Sequence, residues 1–214
     1  MLRRVTTRNL AVDERRRLCD LALEVGPSAP TLCGDWTVQE LVAHLLVRER
    51  SPFAVGIAIA PLEGLTESAM RRAEKAGLEA MVKRLRSTRF TAVWLPAVDR
   101  IFNTMELFVH HEDIRRAQPS WEPRALTSYE QGQVWGGLKV TGKGLVRPAG
   151  VPVTLRRADK DSSTVLVAGD DPVTVTGLPS ELTMFVYGRA EHRDLVFDGP
   201  AGAVRALKDA ALGL

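Results

Sequence analysis

The stretch MELFVHHEDIRR, residues 105–116, sets two of the chain's four histidines side by side among acids. Adjacent residues on a helix point about 100° apart, so His110 and His111 cannot both face one site. Glu106 and His110 are spaced i, i+4 and lie one turn apart on one face, a spacing that suits two ligands of one metal ion. The same argument makes His111 an outward-facing bystander. A third imidazole, His44, lies in ELVAHLLV on a separate helical pattern. Side chains on facing helices of a bundle converge on interior sites, and two imidazoles with one carboxylate are a recurring catalytic zinc set. Three protein ligands leave a further position open for water or substrate. The same set suits ferrous iron, so spacing alone leaves the metal open. Asp113, three residues after His110, is placed to orient its imidazole by a hydrogen bond. The competing reading is structural, with His44 a hydrogen-bonded core histidine and Glu106 paired with an arginine such as Arg100.

The elements that must position these residues are helical. Residues 11–25 carry Leu18, Leu21, Ala22 and Val25 at helical spacing and stop at Gly26-Pro27. A breaker-rich loop, GPSAPTLCGDW, follows. A second helix opens at TVQE, where Thr37 and Glu40 form a capping-box pattern, and its stripe is Val38, Leu41, Val42, Leu45 and Leu46. The apolar run Phe53 to Leu62, interrupted by Gly and Pro, reads as a buried connection. A third helix is expected over 67–86. A fourth runs from Pro96 to about Ala117, with a stripe of Val98, Ile101, Phe102, Met105, Phe108 and Val109, and with Asp99 and Asp113 on the flank of Glu106 and His110. A fifth, 128–141, is weakened by Gly132, Gly136 and Gly137.

The pattern changes near residue 142. VPVTLRRA, STVLVAG and PVTVTG are short β-branched runs separated by Asp, Gly and Pro, followed by a short helix with Ser180 as candidate N-cap, a strand in DLVFDG and a terminal helix after Pro200. The fold class is therefore α+β: an antiparallel four-helix bundle over 1–145, followed by a small α+β domain over 146–214.

The totals exclude several functions. Across 214 residues, 45% hydrophobic and 26% charged content is ordinary for a soluble globular protein. Lys and Arg number 29 against 26 Asp and Glu, too balanced to imply a nucleic-acid partner, and no finger spacing or RNP-like motif is present. Arg15-Arg16-Arg17 and Arg71-Arg72 read as solvated helix faces. The longest apolar run falls short of the roughly 20 residues that span a bilayer. Two cysteines, Cys19 in a helical pattern and Cys33 in the loop, fit a reducing cytoplasm better than a disulfide scaffold. Positive charge at the N-terminus is not followed by an apolar leader core. Nothing in the pattern specifies an oligomeric state.

LCGDWTVQELVAHLLVRE and MELFVHHEDIRRA resemble the DinB/YfiT-like superfamily of metalloenzymes, in its actinobacterial branch related to mycothiol-dependent maleylpyruvate isomerase. The matching marks are W-T-V-x-x-L-x-x-H-L, ending at His44-Leu45, and E-x-x-x-H-H-x-D, from Glu106 to Asp113. In that family the bundle histidine and the E-x-x-x-H pair bind a divalent metal, typically zinc. The resemblance thus implies His44, Glu106 and His110 as ligands, the three residues that spacing selects. It covers roughly residues 10–140, and the C-terminal unit is similar to the family's accessory domain. Arg189, in Gly188-Arg189, falls where the isomerase carries an arginine proposed to act in the reaction, so the resemblance implies a catalytic role there. The residue alone reads equally as a helix-end cation.

The implied function is that of a metal- and thiol-dependent isomerase or S-transferase. A metal, most simply zinc, would stabilise the thiolate of a small thiol of the mycothiol type and present it to an electrophilic substrate. Trp36, Arg48 and Arg50 could line the thiol pocket, or serve as a core anchor and surface cations. The alternative function is a non-catalytic metal- or ligand-binding module of the same fold, and the stretch around His44 looks closest to an uncharacterised group of relatives.

Overall fold

The computed structural model describes residues 9–50, 63–87 and 96–213, within which eight helices and one four-stranded sheet form a mixed α+β fold. The run Phe53 to Leu62 lies outside the described residues. So do the side chains of Arg50, Asp99 and Arg100, and with them the proposed partner of Glu106. The chain separates into two compact units, 1–121 and 122–214.

In the first unit, α1 (Leu10–Val25) starts where the Asn9 side chain accepts from Ala11 N at 3.1 Å and ends at Gly26, whose φ of +87° is costly for residues with a side chain. α2 (Val38–Arg50) opens on the expected capping box. Thr37 N donates to Glu40 Oε2 at 2.8 Å, and Glu40 N reaches Thr37 Oγ1 at 3.5 Å. Hydrogen bonds from the Thr37 hydroxyl and backbone hold the Glu40 carboxyl below its usual value. Val38, Leu41, Val42, Leu45 and Leu46 are buried, as their spacing required.

The single helix expected over 67–86 is two helices, α3 (Glu63–Glu74) and α4 (Leu78–Leu85), because Gly77 between them takes φ +77°. α2 packs on both, and α4 also packs on α1. α5 (Pro96–Arg116) has the expected limits, but its burial is wider than one stripe. Met105, Phe108 and Val109 are buried, whereas Phe102 is 43% exposed, and Leu107, His111, Glu112, Asp113 and Ile114 are buried too. α5 packs along α1 and also faces α2 through side-chain bonds, so more than one of its faces is covered. Arg15 likewise departs from the solvated reading: it is buried, bonding Glu49 and, at 3.0 Å, the Leu85 carbonyl. Arg71 does behave as a surface cation, paired with Glu67 one turn away.

The second unit begins with α6 (Ser128–Val146), capped by Thr127 and Glu130, a capping box that sequence reading passed over. It runs beyond the expected end at Thr141 despite its glycines. One of these has a packing reason: a Cβ on Gly142 would sit 3.1 Å from a Leu166 methyl, so a small residue lets α6 approach the sheet. The sequence boundary at 145/146 counts this helix with the first unit, whereas in the structure it packs on elements of the second.

β1 (Val153–Arg157), β2 (Ser163–Val167), β3 (Val173–Gly177) and β4 (Val196–Asp198) form a sheet of order β2-β1-β3-β4, with β1 parallel to β3 and the outer pairs antiparallel. α7 (Pro179–Val186) packs on α6 and β3, and α8 (Ala201–Asp209) on β3. Ser180 is not the N-cap, which is Leu178, with Pro179 opening the helix. Ser180 instead pairs with Gln131 of α6, its N donating to Oε1 at 3.0 Å and its Oγ accepting from Nε2 at 3.1 Å. No helix among the described residues is long and apolar enough to cross a membrane.

Candidate metal centre

α2 and α5 carry the site. On α2, His44 and Arg48 are one turn apart, and on α5 Asn103, Glu106 and His110 follow at helical spacing. Glu106 Oε1 is the common point. His110 Nε2 lies 3.1 Å from it, His44 Nε2 3.3 Å, and Arg48 Nε 3.3 Å. The imidazole side chains are 12% exposed and Glu106 21%, so the cluster is largely shielded from solvent.

Each imidazole is held from behind. The Trp36 ring packs against His44, with centroids 5.2 Å apart. Asp113 Oδ2, fully buried, lies 2.9 Å from His110 Nδ1. Holding a proton on Nδ1 leaves Nε2 free to act as a ligand once it is deprotonated. The sequence-derived role of Asp113 agrees with this placement.

Cys33 is the residue that sequence reasoning missed. Its thiol donates to Asp113 Oδ2 at 3.0 Å, and its Sγ lies 3.5 Å from His110 Nδ1. No spacing rule links a loop cysteine to a helix 77 residues later. The loop that carries it is rich in breakers but firmly tied. Leu32 N donates to the Asp113 carbonyl at 3.1 Å, Thr31 Oγ1 to the Trp36 carbonyl at 2.8 Å, and Cys33 N to Thr31 Oγ1 at 3.1 Å. Gly34 supplies the positive φ, +58°, that the turn requires.

The electrostatics are those of a strongly coupled pair. Burial pushes the Glu106 carboxyl up, but the His110 charge, hydrogen bonds from His110 and His44, and the Arg48 guanidinium outweigh it and hold Glu106 well below its ordinary 4.5. Burial pushes His110 down, yet the Glu106 charge and hydrogen bonds to Asp113, Cys33 and Glu106 carry it well above 6.5. Without a metal, the site is an imidazolium–carboxylate pair.

His44, Glu106 and His110 each offer a donor atom within 4.8 Å of the others. The distances of 3.1 and 3.3 Å from Glu106 Oε1 to the two imidazole Nε2 atoms are near the edge, about 3.3 Å, of a tetrahedron with ~2.0–2.1 Å bonds. The residues present therefore fit a divalent ion. Cys33, His110 and Asp113 form a second close trio. Its 2.9 and 3.0 Å separations are those of hydrogen bonds, and they orient His110 from its other nitrogen.

His111 is not an outward bystander. It is 4% exposed, and its Nδ1 lies 2.7 Å from Oε2 of the fully buried Glu14 on α1. Arg17 donates to the other oxygen of Glu14 at 3.0 Å. The facing argument separated the two histidines correctly; it did not foresee that α1 covers the second face. Arg48 is half-buried at the site, not a surface cation, and Trp36 anchors the start of α2 while touching His44. Arg189 belongs to the second unit, where it follows α7 and its Nη1 donates to the Tyr187 carbonyl at 2.6 Å.

No protein-family model matches the chain, and no curated protein matches it in sequence. Two crystal structures match its fold. Mycothiol-dependent maleylpyruvate isomerase aligns with a TM-score of 0.53 at 15% identity, and a histidine-to-alanine mutant of that enzyme with 0.60 at 14%. Each alignment covers 88% of this chain and 90% of the other. Across nearly its whole length, the chain is thus similar in fold to mycothiol-dependent maleylpyruvate isomerase, the enzyme whose family its two helical motifs resemble.

Proposed function

We propose that this chain is a divalent-metal protein, with His44, Glu106 and His110 as ligands and zinc as the metal, acting in the cytoplasm as a thiol-dependent isomerase or S-transferase of the mycothiol type. The proposal includes a bundle of the antiparallel four-helix kind as its scaffold. The observation that carries it is the convergence of two imidazole Nε2 atoms on one carboxylate oxygen. A divalent ion held there would supply a Lewis-acidic position that favours a thiolate over its thiol.

The chain's own residues prepare that position. Trp36 and Asp113 set the two imidazole planes, and Glu106 contributes the one anionic ligand. His110 must release the proton on Nε2 when it becomes a ligand. The thiol would give up a second proton as its sulfur becomes anionic, so thiol binding should tighten as pH rises towards the free thiol's pKa. Arg189 is proposed to stabilise carboxylate or enolate charge developing on the electrophile.

Elemental analysis followed by calorimetry tests the reading. About one ion per chain is expected, with proton release when mycothiol is added to the loaded protein. A metal-loaded protein that takes up neither mycothiol nor a simpler thiol would favour the non-catalytic module.

A further inference from the structure

Arg48 is set differently from the other cations of the first unit. Arg15, Arg71 and Arg86 pair with carboxylates away from the candidate centre. Arg48 instead directs Nε at the same Glu106 oxygen that both imidazoles approach, 3.3 Å away. Its head is also fixed independently, because Nη1 donates to Asn103 Oδ1 at 3.0 Å. A guanidinium held only by Glu106 would be released when that carboxylate turned to a metal. One held by Asn103 as well stays beside the centre.

Charge counting then gives the pocket its character. A divalent ion with two neutral imidazoles and one carboxylate keeps a net charge of about +1. Arg48 adds another positive charge on the α2 side. Asp113 lies on the far side of His110, against Nδ1 and away from the Nε2 that meets Glu106. The Arg48 side chain is 21% exposed, and its Nη2 has no protein acceptor among the described residues. A planar, permanently charged donor with a free N–H pair is suited to a carboxylate.

The geometry points to Arg48 as an anion anchor that makes the site selective for ligands carrying two negative groups, one directed to the metal and a carboxylate directed to the guanidinium. This rests on the metal reading above and not on the thiol's being mycothiol, which carries no carboxylate, and it specifies the substrate class: small molecules with a carboxylate a few bonds from the group that meets the metal. Arg48 touches the bound ligand in this role and takes no part in bond making.

Cobalt-loaded protein provides the test, because its visible spectrum reports any change in coordination. Two probes of similar size are titrated, 3-mercaptopropionate and 2-mercaptoethanol, which differ in the carboxylate. The wild type should half-saturate at about tenfold lower concentration of the acid, the scale of one charge-assisted hydrogen bond. Arg48→Met should bring the two midpoints together by weakening only the acid, and Arg48→Lys should restore part of the preference. With no probe present, Arg48→Met should bind cobalt severalfold more tightly, since a neighbouring positive charge is removed; loss of mere packing would not do this. Normal cobalt binding with equal wild-type midpoints, or a preference that survives in Arg48→Met, would overturn the anchor and leave the metal reading intact. Absence of stoichiometric cobalt would remove both.

Discussion

α5 sets a histidine against a glutamate on each of two faces, and the two pairs do different things. Towards α2, His110 meets Glu106, and the carboxylate oxygen is also approached by His44 and Arg48. Towards α1, His111 meets Glu14, whose second oxygen is taken by Arg17, and the pair is sealed from solvent. The first pair gathers donors on a single oxygen of a part-exposed side chain. The second distributes its bonds over two buried oxygens. A histidine beside a carboxylate is therefore not itself a candidate site; the convergence of several donors on one atom sets the first pair apart.

The comparison breaks most directly by exchanging the two faces. His44→Ala, Glu106→Ala or His110→Ala should reduce bound metal from about one ion per chain to a trace, measured by elemental analysis after dialysis. His111→Ala should keep the full complement. A folded His111→Ala protein that lost its metal would show that the α1 face serves the site after all.

Asp113→Asn sharpens the same contrast, because it alters only what lies behind His110. Metal affinity should fall by about 10–100-fold in competition with a chelator, while the helical circular dichroism is kept. Unchanged affinity would mean that the 2.9 Å contact to Nδ1 does not orient the ligand.

Acidity separates metal-free from loaded protein. Glu106 has a folded value below 4.5, so its contribution to stability is present above that pH and fades as pH falls through the depressed value. His110 has a folded value above 6.5, so its contribution is complete below 6.5 and fades as pH rises through the raised value. The pair thus stabilises metal-free protein most between those two ordinary values. Metal must displace the His110 proton, so its affinity should climb by about tenfold per pH unit from 6.5 until the raised value is passed. Calorimetry in buffers of different ionisation enthalpy would count the proton, and a flat pH profile would contradict the coupled pair.

On the sealed face the expected loss is of stability. His111→Ala leaves Glu14 with Arg17 but without its imidazole, and should cost about 1–3 kcal/mol in urea unfolding. The cysteines give the smallest effect. Burial raises the Cys19 thiol to about 11, so at pH 8 it should stay unmodified by a thiol reagent while the part-exposed Cys33 reacts. Metal loading should slow Cys33 by immobilising His110 and Asp113 beside it.

Much of this was legible in the chain itself. The limits of α1 and α5, the capping box at Thr37 and Glu40 and the strands after residue 150 follow from local spacing and turn chemistry, which act within a few residues. The i, i+4 relation of Glu106 and His110 is of the same kind, because one helical turn suffices to express it. Periodicity could also say that His110 and His111 face different ways. Only the packing of α1 along α5 decided that His111 and Glu14 would be buried together, across 97 residues of sequence. Only the tied loop before α2 brought Cys33 to Asp113, and only the approach of α2 to α5 set Arg48 beside Glu106. Those contacts join residues far apart in the chain. No helical or strand period carries information over that distance, so the helices' packing had to supply it.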